Sequence, residues 1–88
     1  MEREIIFSAH ALSRMKERFI SKKVVINATR NPDKIEKSSQ MPSRFLIKKV
    51  YFNKILRKEH LLMVICELLP KQIEIITIID TSKISKYF

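Results

Sequence analysis

Leu61 to Leu69 is an apolar run interrupted only by Glu67, in a chain of 88 residues. It falls far short of the roughly 18 apolar residues that cross a bilayer, and it fits a central strand buried on both faces of a sheet. A chain this short buries only about 60% of its unfolded surface, which leaves no material for a second core. The sequence therefore predicts one domain over residues 1–88, with every other element packed around that strand. The single cysteine, Cys66, lies inside the run and reads as a small buried hydrophobe rather than a nucleophile or a ligand.

Glycine is absent, so tight turns fall to Asn, Asp, Ser and Pro, and three prolines mark the breaks. Ser8 is placed to cap a first helix over 9–19, in which Ala11, Leu12, Met15 and Phe19 recur at three- and four-residue spacing. Ser21 can cap a second helix that turns Val24, Val25 and Ala28 inward and ends near Arg30, because the residue before Pro32 avoids helical geometry. Beyond Pro32 the pattern is β. It predicts a short edge strand at 34–36, a longer one at 44–52, the central strand at 60–69 and a last one at 72–80. Residues 81–88 read as a polar tail.

The expected fold is α+β in the order α-α-β-β-β-β, with two N-terminal helices packed on one face of a four-stranded antiparallel sheet. The last two strands are apolar on both sides, so the face away from the helices needs its own cover. The tail folding back, a homodimer and a partner protein are the three ways to supply it.

The formal charge is +9, and residues 1–60 hold fifteen Lys and Arg against six Asp and Glu, whereas residues 61–88 hold three of each. A field of this sign speeds encounters with polyanions and supplies the sequence-independent part of nucleic-acid affinity, which makes RNA the expected partner. A solvated basic surface that aids solubility is the plainer alternative. No helix sets bulky apolar anchors opposite a wholly basic face, so the charge does not call for a membrane. Met1-Glu2-Arg3-Glu4 lacks the basic start and apolar stretch of a signal peptide, and the expected location is cytoplasmic.

His10, Arg14 and Arg18 follow one another at four-residue steps and stack along a polar stripe of the first helix. An imidazole beside two permanent charges suits phosphodiester cleavage without metal or cofactor. Histidine moves the proton, arginine clamps the phosphate and stabilises its added charge, and RNA supplies its own nucleophile, the 2′-hydroxyl. The alternative is an ordinary solvated helix face.

The run Phe7-Ser8-Ala9-His10-Ala11-Leu12-Ser13-Arg14-Met15-Lys16-Glu17-Arg18, followed by Ile20-Ser21 and Asn31-Pro32-Asp33, resembles a widespread uncharacterised prokaryotic family grouped with RelE- and BrnT-like toxins. The resemblance runs from about residue 5 to Ile79, through the apolar-Thr-apolar pattern Ile76-Thr77-Ile78. It implies the RelE-like ribonuclease architecture, a helical hairpin on a small antiparallel sheet with the substrate across its basic face. It also implies an active site of His10, Arg14, Arg18 and Thr77, a single-stranded or ribosome-bound RNA substrate, and an antitoxin protein that holds the activity in check. Phe19 stands where that family commonly has glycine, and Lys22 and Lys23 stand where it has acidic residues.

A second basic group, Arg44, Lys48 and Lys49, shares its strand with Tyr51 and Phe52, and Lys54, Arg57 and Lys58 continue it into the following turn. Interleaved cations and rings can hold phosphates while stacking bases. Phe45 and Phe52 read better as core residues. His60 has no Cys or His at ligand spacing and reads as structural or exposed, so no metal site is expected. Three functions remain: an RNA-cleaving toxin, a non-catalytic nucleic-acid-binding module, and a protein-interaction domain built on the exposed apolar strand surface.

Overall fold

The computed structural model describes residues 3–88; the Met1-Glu2 start lies outside the described residues. The elements run β1 (Glu4–Phe7), α1 (Ala9–Glu17), α2 (Lys22–Arg30), β2 (Lys34–Lys37), β3 (Arg44–Asn53), β4 (Lys58–Leu68), β5 (Gln72–Thr81) and α3 (Ile84–Tyr87). The apolar run is β4, and it occupies the centre of a five-stranded sheet ordered β1-β5-β4-β3-β2. Its Leu61, Leu62 and Val64 are fully buried. Among the described residues no helix is long and apolar enough to cross a membrane.

The expected sheet of four antiparallel strands behind two N-terminal helices is corrected in two respects. β1 pairs parallel with β5, which makes the sheet five-stranded and mixed, and it precedes the helices, while α3 follows the last strand. Glu4-Ile5-Ile6-Phe7 is too short to display a period, and its partner strand lies at the far end of the chain. Pairing with β5 lets Ile5 and Phe7 join the helix-side core with Ala11, Met15, Val25 and Ala28.

Both helix starts follow the expected chemistry. The Ser8 hydroxyl accepts the Ala11 N–H at 3.0 Å, and the Ser21 hydroxyl accepts the Val24 N–H at 3.3 Å. Ser8 has a second task. Opposite the Ile65–Cys66 step of β4 the register of β5 shifts, so that Ile65 pairs with Thr77 but Cys66 with Ile75, leaving Ile76 as a bulge. The Ser8 hydroxyl donates to the Ile76 carbonyl at 2.8 Å and so fastens α1 to that irregularity.

The bulge reverses the alternation of β5. Ile73 and Ile75 face the helices before it, and Ile78 does so after it. Thr77 and Ile79 are thereby turned to the opposite face and Asp80 is turned inward.

The opposite face is covered in part by the chain's own end, one of the three expected means. Residues 81–88 are more than a polar tail: Thr81 completes β5 and α3 folds back into contact with β4. The Lys34 ammonium donates to the Phe88 carbonyl at 2.6 Å and lies 5.2 Å from the centre of the Phe88 ring, which ties the C-terminal segment to β2. Leu61 and Met63 on this side are buried. Asp33 fastens the same end of β2 to β3, since its carboxylate accepts the Val50 N–H at 2.8 Å. That bond, with nearby Lys49, holds the Asp33 carboxyl below the ordinary carboxylate range.

Candidate functional site

α1 presents its polar stripe as expected. Ala11 and Met15 are buried against the sheet, His10 and Arg18 are exposed, and Arg14 is half-exposed between them. Arg14 lies 3.6 Å from Glu17 one turn on, a solvent-screened pair. Arg18 is the C-cap, where the stripe meets the α1–α2 turn. Thr77 does not join these residues. The bulge places it across from Ile65, on the sheet face opposite the core that α1 covers.

The basic residues of β3 are engaged one by one. Arg44 binds Glu67 at 2.8 Å, Lys48 binds Glu36 at 3.2 Å, and Lys49 lies 3.5 Å from Asp33. Lys48 is only 7% exposed. These cations are matched across neighbouring strands, by Glu67 on β4 and Glu36 on β2, which the sequence could not show before the register was known. Tyr51 is half-buried with its hydroxyl in a network, so its ring does not offer a stacking face to solvent. Phe45 packs against the core as expected, but Phe52 is 57% exposed, contrary to the reading of it as core, because it points away from the helices near the end of β3.

The other basic residues of the second group, Lys54, Arg57 and Lys58, lie at the β3–β4 turn. Without glycine this turn relies on Asn53, whose side-chain oxygen accepts the N–H groups of Ile55 and Leu56 at 3.1 and 3.0 Å. Arg57 then takes a left-handed φ of 58° and its N–H donates to the Asn53 carbonyl at 2.7 Å. The turn carries exposed Lys54, Arg57 and Lys58 together with exposed Ile55 and Leu56. It faces the α1–α2 turn across two adjoining cavities of about 300 and 240 Å³ that share Phe19, Asn53 and Ile55 as lining.

Beneath this cleft lies a buried polar network that has no counterpart in the sequence reading. The Tyr51 hydroxyl donates to Asp80 at 2.7 Å, the Asn53 amide donates to the Tyr51 hydroxyl at 3.3 Å, and His60 Nδ1 lies 3.1 Å from the Asp80 carboxylate. A carboxylate can only accept, so Nδ1 carries the proton. His60 Nε2 is buried without a hydrogen-bond partner. Burial, reinforced by the bond to Asp80, drives the Tyr51 phenol far above its ordinary pKa, which keeps it a donor. Asp80 and Arg18 both line the smaller cavity. Cys66 is buried elsewhere in the core, and burial pushes its thiol up to about 11, as befits a small hydrophobe. Among the described residues no group of three or more His, Cys, Asp or Glu is placed to hold a metal ion.

The model of a domain of unknown function, DUF4258, matches residues 7–80, most of the chain. The chain belongs to the DUF4258 family. No curated protein and no solved structure matches it.

The matched region of this DUF4258 domain includes a backbone conformation that its residue type does not favour. Phe19 has φ 55°, the left-handed region that favours glycine. Its N–H donates to the Lys16 carbonyl at 3.3 Å and the Ile20 N–H to the Met15 carbonyl at 2.9 Å, so the residue ends α1 as a C′ glycine would. A residue with a Cβ is about 1–2 kcal/mol worse than glycine in this conformation. The Phe19 ring is 78% exposed and recovers little of that by burial. Phe19→Gly should therefore stabilise the domain by about 1 kcal/mol and raise the melting temperature by roughly 4–8 °C in thermal denaturation.

Proposed function

We propose that this DUF4258 domain acts on RNA in the manner of the RelE/BrnT-like toxins, cleaving a single-stranded or ribosome-bound strand without a metal. The observation that carries the reading is the stripe His10–Arg14–Arg18, which lies at the surface of α1 and leads into the basic cleft at Arg18. His10 takes the proton from the substrate 2′-hydroxyl. The 2′-oxygen attacks phosphorus, the bond to the 5′-oxygen breaks, and that oxygen leaves with a proton from water. Arg14 and Arg18 neutralise the charge that builds on the phosphoryl oxygens. Thr77 has no part in this scheme, being on the other face of the sheet. An antitoxin protein would be the natural check on such an activity.

The non-catalytic alternative, a module that holds nucleic acid without chemistry, is favoured by the Arg14–Glu17 pair and by the separation of Thr77, which leave a single imidazole to do the work. Both readings require the same binding behaviour. Affinity for a single-stranded RNA oligonucleotide, measured by fluorescence anisotropy, should fall steeply with salt, the logarithmic slope growing by about 0.7 per phosphate neutralised. Arg18→Ala should reduce that slope, whereas Arg44→Ala should not, since Arg44 is engaged by Glu67. Affinity indifferent to salt would remove the electrostatic basis of both.

A further inference from the structure

The basic cleft is also apolar at its mouth. Phe19, Ile55 and Leu56 are each more than half exposed, and all three line the two adjoining cavities between the α1–α2 and β3–β4 turns. Exposed apolar side chains grouped around one cleft, rather than scattered singly over the surface, point to an interaction site. Phe19 adds a separate indication, because its unfavourable backbone conformation is retained while its ring is held out to solvent. Asn53 supports the other side by fixing Ile55 and Leu56 through their backbone, and is itself anchored through Tyr51 to Asp80. Both walls are preorganised.

We infer that this cleft is a docking surface for an acidic amphipathic segment of another protein, whose apolar side chains seat on Phe19, Ile55 and Leu56 while its carboxylates meet the surrounding cations. The charge around the cleft selects this occupant. Arg18, Lys23 and Lys54 line it and Arg57 stands beside it, and among the described residues none of them takes part in an ion pair. The two carboxylates in the lining are already engaged, Glu17 beside Arg14 and Asp80 with Tyr51 and His60. A second copy of this chain would bring the same cations against themselves, a like-charge contact that costs affinity. RNA would use flat rings but gains nothing from branched Ile55 and Leu56, because base recognition rests on stacking faces. A helix with apolar anchors at three- and four-residue spacing uses both the Phe19 ring and the aliphatic side chains.

The inference stands apart from RNA cleavage, and its test keeps the two separate. A displayed library of random peptides about 16 residues long, roughly four helical turns, is selected against the purified protein. The enriched peptides should be net acidic, with apolar residues on one helical face. Their affinity should drop more than about tenfold in the double variant Ile55→Ser, Leu56→Ser, as expected when exposed anchors of a hot spot are lost. Phe19→Gly should weaken the same peptides while raising the melting temperature, a combination that general damage to the fold cannot produce. RNA affinity of the double variant should match the parent's.

Enrichment of non-acidic peptides, no enrichment at all, or equal binding by the variants overturns the inference. Loss of RNA affinity in step with peptide affinity assigns the patch to RNA instead. Self-association of the parent that the double variant abolishes assigns it to a second copy.

Discussion

Val64→Asp should leave no folded protein. Val64 is fully buried in β4 and paired with Ile47 on one side and Ile78 on the other, with apolar side chains across the helix-facing layer. A carboxylate there meets neither water nor a cation, and its burial costs several kcal/mol against a total stability of only about 5–15 kcal/mol. Circular dichroism of the variant should show loss of the native spectrum, or the protein should be recovered only as aggregate. Ile79→Asp is the matched control, since Ile79 lies on the opposite face and is 39% exposed; that variant should fold. A soluble, folded Val64→Asp would contradict the central position of β4.

His10→Ala should lower RNA cleavage by roughly 10²–10⁴-fold, the range for removal of a general acid or base. His10 is exposed and no part of the core, so the melting temperature should stay where it was. Arg14→Ala should cost a comparable factor in rate, and it should also reduce RNA affinity, because the guanidinium is the permanent charge that holds the phosphate. The Arg14–Glu17 pair it removes is solvent-exposed and worth under about 1 kcal/mol. Rates for both variants equal to the parent's would move the function to the non-catalytic reading.

What the sequence disclosed and what it concealed divide along physical lines. Ser8 and Ser21 announced their helices because a cap is a local hydrogen bond, and the Leu61–Leu69 run announced the central strand because burial on both faces leaves a composition, not a period. β1 was missed because four residues carry no period and its pairing is with the other end of the chain. Phe19 was read as continuing the helix by its spacing, yet α1 stops at Glu17 and the left-handed turn follows; the missing glycine was the available signal.

The candidate site shows the same contrast. The stripe on α1 was legible because helical spacing places His10, Arg14 and Arg18 on one side. The bulge at Ile76 was not, and it alone decides that Thr77 faces away and that Asp80 turns inward to reach His60 and Tyr51. Alternation counted from Ile73 assigns both residues to the wrong face. Arg44, Lys48 and Lys49 counted as free cations in the composition, and only cross-strand register reveals Glu67, Glu36 and Asp33 beside them.

The most direct test is the chemistry of the RNA ends. Purified protein is incubated with single-stranded RNA, free and on ribosomes, in the presence of a chelator, and the fragment termini are identified. Attack by the 2′-hydroxyl, with His10 accepting its proton, predicts 2′,3′-cyclic phosphates and 5′-hydroxyls. Fragments ending in 3′-hydroxyls and 5′-phosphates, or RNA left intact in every form offered, would contradict it.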